Sequence, residues 1–175
     1  TTSYAYVKNY DIPTSGAALF HQSSIDLGKL NISAGIRLDY ESTNLDYSYF
    51  KTLNTTESKV DEKDGSLDYF EVLPKASVKY RFNSNNFIYA TIAKGYKTGG
   101  YNTIYEKDTP VSFNPEHSWN YEAGIKTNLL NNRLFINMAA FYIEWKNQQI
   151  SQTVPSGQGR IQVNAGESVS KGIEL

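Results

Sequence analysis

The stretch Leu30-Asn31-Ile32-Ser33-Ala34-Gly35-Ile36-Arg37-Leu38-Asp39-Tyr40-Glu41 alternates apolar and polar residues without a break. Because successive side chains of a β-strand point to opposite faces of its sheet, one face here carries Leu, Ile, Ala, Ile, Leu and Tyr. The other face carries Asn, Ser, Gly, Arg, Asp and Glu. One face suits hydrocarbon and the other suits water, which is typical of the strands of an outer-membrane β-barrel.

Six further stretches show a related alternation, so that seven strands are expected in all. Their expected positions are about 16–27, 29–47, 67–82, 86–97, 116–129, 133–151 and 159–175. No helical periodicity interrupts them. The sequence therefore predicts an all-β fold, an antiparallel up-and-down transmembrane β-barrel segment of about seven long strands.

The connections between these strands alternate in length, which is a second signal of a membrane barrel. Tight turns are expected near Leu27-Gly28-Lys29, at Asn83–Asn86 and at Asn131-Asn132, and long polar loops are expected over about 48–66 and 98–115. Outer-membrane barrels have short periplasmic turns and longer extracellular loops. We therefore expect the long loops to lie on the extracellular side.

Three details of the strands carry separate expectations. Pro74 lies inside a strand, where it cannot donate a ladder hydrogen bond, so we expect a bulge or a local break in pairing there. Glu167 and Lys171 interrupt the apolar side of the last strand, which indicates a bulge or an ion pair between them. The strand from residue 133 is apolar on both faces around Leu134–Ile143, and its register stays open.

Composition excludes several classes of protein. The chain has 175 residues, of which 39% are hydrophobic, and its formal net charge is −1. Since no basic surface is indicated, we do not expect nucleic acid as a partner. The chain has no cysteine, so disulfides and thiolate metal sites are excluded. The mean hydropathy of −0.51 is that of a soluble protein, but a membrane barrel also has this property because half of each strand faces a polar lumen.

Few residues indicate a chemical site. His21 and His117 are the only histidines, and they lie on different expected strands without the spacing of metal ligands. The run Asp61-Glu62-Lys63-Asp64 lacks the calcium-loop pattern and is interpreted as a solvated loop tip. No serine has an obvious base beside it. We therefore expect no catalytic residue, no resident metal and no cofactor, and we do not expect an enzyme.

The best candidate for ligand binding is the long loop over about 98–115. It carries Tyr101, Tyr105 and Phe113, which could stack on a ligand, beside glycines that give flexibility and prolines that give local stiffness. Charged side chains on the polar strand faces are interpreted as a hydrated wall; they are Arg37, Glu41, Lys75, Lys79, Arg81, Glu122 and Lys126.

Four consecutive motifs in the second half resemble those of one known family. The first motif is the stretch from Phe87 to Asn102, which reads FIYATIAKGYKTGGYN. It is similar to a strand of TonB-dependent receptors and the beginning of the loop that follows it. Pro115-Glu116 with Asn120–Lys126 resembles the strand that follows it in the family. The third and fourth motifs are Asn132-Arg133-Leu134 through Phe141-Tyr142 and Gln148-Gln149, and Asn164-Ala165-Gly166 with Lys171–Leu175.

The resemblance covers about 16–175 and implies more than this chain contains. Members of the family have a 22-stranded barrel whose lumen is filled by an N-terminal plug, and the plug bears the segment that engages TonB. The resemblance therefore implies that residues 1–175 are a partial barrel from its middle or later part, without the plug. Because such a piece is expected to leave two unpaired edges, edge-to-edge association is expected if it is isolated.

The function implied by the resemblance is active uptake across the bacterial outer membrane. The ligand would be a scarce, large solute such as an iron–siderophore complex, haem, cobalamin or an oligosaccharide, with energy supplied through TonB by way of the missing plug. The expected partners are thus outer-membrane lipid, TonB and an unknown transported ligand. Two alternatives stay open on the residues alone: a passive outer-membrane pore or structural barrel, and a soluble β-sandwich or adhesin module.

Overall fold

The computed structural model describes residues 4–130 and 133–175, and all regular elements among them are β-strands. No helix in these ranges is long and apolar enough to cross a membrane. In chain order the strands are β1 (Tyr4–Asp11), β2 (Thr14–Leu27), β3 (Leu30–Leu53), β4 (Thr56–Arg81), β5 (Phe87–Lys97), β6 (Gly100–Tyr101), β7 (Ser112–Phe113), β8 (Glu116–Leu129), β9 (Leu134–Lys146), β10 (Gln149–Thr153), β11 (Arg160–Asn164) and β12 (Ser168–Glu174).

The main sheet is antiparallel and has seven strand positions, in agreement with the predicted number. Its order is β3, β4, β5, β8, β9 and β12, and both β1 and β2 pair with the free side of β3. β1 and β2 form one interrupted strand, because both pair with β3 and follow each other along it: Asp11, the last residue of β1, lies opposite Asp46, and Thr14, the first residue of β2, lies opposite Thr43. Within the described residues the sheet does not close, since β1 and β2 at one side and β12 at the other have no further neighbour.

One face of this sheet is apolar, as the alternation of Leu30–Glu41 predicts. Cross-strand pairing places Ile32 beside Val78, Val78 beside Ala90 and Ala90 beside Ala123. Ile36 is 44% exposed and Ile32 is 40% exposed, although neither side chain has a polar group. The apolar band ends at the pair Tyr40 and Phe70, beyond which the outward residues of β3 and β4 are polar as far as the pair Ser48 and Glu62.

The opposite face is polar, and aromatic rings lie on it where the neighbouring strand offers a glycine. The hydroxyl of Tyr89 donates a hydrogen bond to Glu122 at 2.7 Å. The same ring lies over Gly124, where a Cβ atom would come within 2.7 Å of it. The register of β9 follows from its pairing with β8, which puts Met138 and Ala140 on the apolar face. Phe141 then lies on the polar face, which explains why β9 is apolar on both sides.

The predicted long loop over 48–66 is wrong. β3 and β4 continue through most of this segment as a hairpin that turns between Leu53 and Thr56, with Asn54 at a φ of 57°. The ladder contains one irregularity, where β4 has an additional residue, Val60, opposite the step from Tyr49 to Phe50. Both faces of this extension carry many polar residues, so hydrophobic alternation gives no sign of the strands.

The predictions of one continuous strand over 159–175 and of another over 133–151 are also wrong. Each range contains two strands: β11 and β12 in the first, and β9 and the first part of β10 in the second. The chain bends at Asn147, with a φ of 52°, and at Gly166, with a φ of 90°. Between these bends β10 and β11 form a separate hairpin, while β12 returns to pair with β9. Glu167 lies at the second bend and its carboxylate is 3.8 Å from Lys146, so it does not pair with Lys171.

Pro74 marks a break in pairing, one of the two outcomes expected for it. Pro74 is in register with Ile36 on β3, but the ladder between β4 and β5 ends one residue away, at Lys75 and Ala93. β5 continues beyond this point paired only with β8. The outer ends of β5 and β8 are therefore separated from β4, and the space between them is bridged by side chains.

The short and long connections lie at opposite ends of the sheet. The turn after Leu27 and the turn from Phe82 to Asn86 are at one end, which we call the turn end. The β3–β4 tip, the segment from β5 to β8 and the β10–β11 hairpin are at the other, the loop end. The tight turn predicted at Asn131-Asn132 lies outside the described residues.

Candidate functional site

Two segments at the loop end pack against each other: residues 98–115, which contain β6 and β7, and residues 147–166, which contain β10 and β11. We call them the loop pair. Each includes a short antiparallel ladder of its own. The segments are joined by side-chain amides rather than by a continuous sheet, so the identity of a few Asn and Gln residues determines their arrangement.

Asn102 is the first of these amides, and only 4% of it is exposed. Its Nδ2 donates to the carbonyl oxygens of Pro110 and Gln162, both at 3.0 Å. Its Oδ1 accepts from the backbone N–H of Gln162 at 2.8 Å. A single buried side chain thus pairs with the backbone of both segments, which satisfies groups that would otherwise be costly to bury.

Gln149 is the second buried amide and connects three parts of the chain. Its Nε2 donates to the carbonyl oxygen of Thr98 at 2.7 Å and to that of Asn114 at 3.1 Å. Its backbone N–H donates to the carboxylate of Glu116 at 2.7 Å. Among the described residues, Gln149 Oε1 is buried without a hydrogen-bond partner. The start of β10 is therefore fixed to both ends of the 98–115 segment.

Asn164 completes the junction from the β11 side. Its Oδ1 accepts from the backbone N–H of Asn114 at 2.7 Å, and its Nδ2 donates to the carbonyl oxygens of Asn114 and Asn147. Glu106 adds a contact farther out, because its carboxylate accepts hydrogen bonds from the backbone and hydroxyl of Ser156. The loop pair is consequently one hydrogen-bonded unit.

Tyr105, a predicted ligand contact, lies at the centre of an aromatic cluster. Its ring centroid is 4.6 Å from that of Tyr47 in an edge-on arrangement, and 6.3 Å from that of Tyr10. Lys63 lies over the ring at 5.4 Å. Burial raises the pKa of the Tyr105 hydroxyl to about 12 from its ordinary 10.0. The Tyr105 ring therefore packs against the protein's own tyrosines. Among the described residues, its hydroxyl has no hydrogen-bond partner.

The 98–115 segment covers the inner part of the β3 extension, and this accounts for much of the small core. Leu45 and Tyr47 are 4% and 2% exposed, whereas Asn44 and Asp46, which point the other way, are exposed. The buried residues continue the polar face of β3. This face of β3 carries polar residues nearer the turn end, but at the loop end it carries the apolar side chains against which the 98–115 segment packs.

The other two predicted contact residues lie on the same segment but do not join the cluster around Tyr47. The hydroxyl of Tyr101 approaches β4 at Gly65, where a Cβ atom would lie 2.6 Å from it. The Phe113 ring packs over Gly100 on the neighbouring short strand. Tyr101, Tyr105 and Phe113 are all partly exposed, so each keeps a surface that a ligand can reach.

A charged cluster bridges the break between β4 and β5. The Glu71 carboxylate accepts hydrogen bonds from Lys94 Nζ at 3.0 Å and lies 2.7 Å from His117 Nε2. Only 14% of the Glu71 side chain is exposed. This cluster ties the outer ends of β5 and β8 to β4 above Pro74, where backbone pairing is lost. The contact with Glu71 accounts for the position of His117.

The remaining residues considered from the sequence are not brought together into a site. His21 bonds to Ser23 on β2, at 2.7 Å, away from His117 on β8. The acidic run beginning at Asp61 is part of β4 and not a loop tip, and Asp61 pairs with Lys63 at 2.9 Å. In residues 4–130 and 133–175, no three His, Asp or Glu side chains form a group that could hold a metal ion.

The residues that build the loop pair were present in the sequence motifs but were not identified as functional. Asn102, Gln149 and Asn164 each occur in a quoted motif, yet a motif alone does not tell whether an amide binds a ligand or the protein's own backbone. An amide that binds the protein's own backbone is recognised by its burial next to several backbone carbonyl groups that need a donor. That environment is visible only in the folded structure.

Comparison with known proteins agrees with this architecture. A family model described as TonB dependent receptor-like, beta-barrel, matches residues 1–175. The metal-pseudopaline receptor CntO of Pseudomonas aeruginosa is 34% identical over 102 residues, which are 58% of this chain and 13% of that protein. The pesticin receptor of Yersinia pestis is 27% identical over 150 residues, which are 84% of this chain and 21% of that protein.

A solved structure has the same fold. The ferric yersiniabactin uptake receptor FyuA from Yersinia pestis superposes with a TM-score of 0.73 at 21% identity, over 96% of this chain and 24% of that one. This chain therefore spans about a quarter or less of the length of these similar proteins. The match of the family model to the whole chain shows that the protein belongs to the TonB-dependent receptor family, as a part of its β-barrel.

Proposed function

We propose that this chain is part of an outer-membrane receptor that takes up a scarce, large solute with energy supplied through TonB. The observation that carries the proposal is the loop pair, a hydrogen-bonded unit placed above an apolar band at one end of a barrel sheet. The match of the TonB-dependent receptor family model to residues 1–175 favours a receptor over a passive pore. The proposal includes no catalysis.

The ligand class is narrowed by the names of similar proteins. One curated relative is a metal-pseudopaline receptor, and the structural neighbour takes up ferric yersiniabactin. Both names refer to metal chelates. We therefore place a metal–chelate complex, such as an iron–siderophore, ahead of haem, cobalamin and oligosaccharides as the transported solute.

Within this proposal, Tyr101, Tyr105 and Phe113 contact the ligand from the 98–115 segment. Their rings are partly exposed at the loop end, and aromatic side chains bury a large area with little loss of rotamer freedom. The energy would come from TonB acting on a plug in the full-length protein. The barrel segment itself would anchor the receptor in lipid and form part of the wall of the pathway.

The test is deletion of residues 103–112 in the full-length receptor. Uptake of radiolabelled iron chelates is measured in iron-starved cells with and without a protonophore, and barrel insertion is followed by the heat-dependent shift in electrophoretic mobility. The proposal expects energy-dependent uptake by the intact receptor and weakened uptake after the deletion, with insertion unchanged. Uptake that persists in the presence of the protonophore supports the passive pore and contradicts the proposal.

A further inference from the structure

Tyrosine and lysine side chains alternate on one face of the outermost strand pair. β1 pairs with β3 so that Tyr6 lies opposite Lys51, Lys8 lies opposite Tyr49 and Tyr10 lies opposite Tyr47. Lys8 Nζ is 5.3 Å from the centroid of the Tyr49 ring, and Lys51 Nζ is 5.1 Å from that of Tyr4 and 6.0 Å from that of Tyr6. We call this surface the Tyr–Lys face; it comprises Tyr4, Tyr6, Lys8, Tyr10, Tyr49 and Lys51.

The Tyr–Lys face is on the same side of the sheet as the polar face farther down. All odd-numbered residues of β3, from Asn31 to Lys51, lie on one side of the sheet. The irregularity near Tyr49 does not change this, because its additional residue, Val60, belongs to β4. An aromatic girdle at a lipid interface would lie on the other side, with Tyr40 and Phe70. These tyrosines therefore point to the interior and mouth of the barrel.

The Tyr–Lys face is open where its neighbour is covered. Tyr47 is 2% exposed beneath Tyr105, whereas Tyr6 is 59% exposed and Tyr4 is 55% exposed. Tyr10 joins the two regions, since its ring lies 5.0 Å from Tyr47 and 6.3 Å from Tyr105. The open rings thus continue directly from the aromatic cluster that holds one of the proposed contact residues.

Charge is sorted between the two sides of this part of the sheet. The Tyr–Lys side carries Lys8, Lys51 and Lys63 with a single acid, Asp61, which pairs with Lys63. The other side carries one lysine, Lys59, among five acids: Asp11, Asp46, Glu57, Glu62 and Asp64. The chain as a whole has a net charge of −1, so the positive surface is local. It favours an anion over a cation or a neutral molecule.

We infer that the Tyr–Lys face binds an anionic ligand that carries a planar aromatic ring, such as a phenolate or catecholate metal chelate. A ligand ring stacks on Tyr6 or Tyr10, and its anionic oxygens accept hydrogen bonds from Lys8 and Lys51. An ammonium group has three donors, so a lysine that lies over a tyrosine ring still has donors for a ligand. The inference rests on the proposed receptor function, whose ligand class it narrows.

The test uses the full-length receptor in detergent micelles and three synthetic probes. A tripodal ferric tris-catecholate supplies charge and rings, ferric tris-oxalate supplies the same charge without rings, and a tripodal ferric tris-hydroxamate supplies neither. Calorimetric titration gives the affinity for each. The inference expects the catecholate to bind most tightly, with an affinity that falls as ionic strength rises. Equal affinities for the catecholate and the hydroxamate overturn it.

Two variants separate charge from stacking. Lys8→Gln combined with Lys51→Gln is expected to weaken catecholate binding about five- to thirtyfold, as for two partly exposed charge contacts, and to weaken oxalate binding as well. Tyr6→Leu is expected to weaken catecholate binding only. Lys59→Gln is the matched control, because it removes one lysine from the opposite side of the same hairpin. Electrophoretic mobility before and after heating confirms that each variant is folded.

The outcomes distinguish this inference from the proposed function. Unchanged catecholate affinity in the double lysine variant and in Tyr6→Leu overturns the Tyr–Lys site, whether or not cells take up iron. Energy-dependent uptake of any iron chelate in that case leaves the receptor function in place. Conversely, binding that follows the expected pattern without energy-dependent uptake supports the site and overturns the transport proposal.

Discussion

The side-chain amide of Gln149 donates a hydrogen bond to the carbonyl oxygen of Thr98 at 2.7 Å, although the two residues are 51 positions apart in the chain. Further bonds from the same amide reach Asn114 and Lys97. The amide therefore fixes both ends of the 98–115 segment to the start of β10. Three contacts to backbone carbonyl groups make this position sensitive to loss of the N–H donors.

Gln149→Glu is expected to loosen the loop pair without unfolding the barrel. The carboxylate has no N–H to donate and faces three carbonyl oxygens and Glu116, so the junction is expected to lose about 1–3 kcal/mol. Hydrogen exchange of the full-length protein should accelerate in residues 98–115 and stay unchanged in β4. Gln152→Glu is the matched control on the same strand, since Gln152 is exposed. Equal exchange in the two variants would show that the Gln149 amide does not hold the segment.

Arg at Ile36 is expected to be far more costly than Arg at Ser33. Ile36 lies within the apolar band, and a charged side chain near the middle of a bilayer costs about 2–4 kcal/mol in a membrane barrel. Ser33 lies on the polar face, where arginine keeps water around its charge. Urea titration of the full-length barrel in lipid vesicles measures both changes. Similar losses for the two variants would show that the assignment of faces is incorrect.

The topology can be checked with single cysteines in the full-length protein, after any cysteine outside residues 1–175 has been replaced by serine; residues 1–175 contain none. Thr55→Cys, at the tip of the β3–β4 hairpin, is expected to react with a membrane-impermeant maleimide on intact cells. Ser84→Cys, in the turn after β4, is expected to react only after the outer membrane is opened. The reverse pattern would place the loop end in the periplasm.

Tyr105 is expected to keep its proton to higher pH than an exposed tyrosine. Burial raises its pKa to about 12, from 10.0, so the folded loop holds the proton while an unfolded loop would lose it. Packing of Tyr105 is therefore fully favourable below pH 10 and is lost as pH rises from about 10 to 12. The difference in ultraviolet tyrosinate absorbance between wild type and Tyr105→Phe measures this titration. A midpoint near 10 would show that the ring is not packed.

The isolated chain of 175 residues is expected to associate with itself. The described sheet has one free side along β2 and another along β12, and open strand edges recruit further strands. Sedimentation in water and in detergent should show oligomers or precipitate. A well-ordered monomer without detergent would contradict this expectation and would favour a soluble sandwich.

Hydrophobic alternation predicted the parts of the fold that have one apolar face. It placed β2, the first half of β3, β5 and β8 to within a few residues, because burial or lipid on one side forces a period of two. It missed β1 and the outer halves of β3 and β4. There one face carries mainly Tyr and Lys and the other mainly Asp, Glu and Ser, so apolar residues do not alternate with polar ones, and cross-strand pairing keeps the strands extended.

The sequence predicted which segment carries the candidate site, but not the contacts that hold this segment in place. The sequence placed Tyr101, Tyr105 and Phe113 on one segment at the loop end, and the structure shows that segment packed on Tyr47 and on the β10–β11 hairpin. The bend that creates this hairpin depends on positive φ angles at Asn147 and Gly166, which many Asn and Gly residues do not adopt. Whether the three aromatic residues contact a ligand stays a prediction.

The length of β3 determines how far from the membrane a solute is first met. β3 has 24 residues, but its apolar alternation ends at Tyr40. At about 3.4 Å per residue and a tilt of about 45°, the part from residue 42 to residue 53 reaches roughly 30 Å above the bilayer. A diffusing solute would therefore encounter the hairpin before the mouth of the lumen. Shortening the hairpin should lower the association rate, and a deletion that also removes Tyr49 and Lys51 of the Tyr–Lys face should raise the dissociation rate as well.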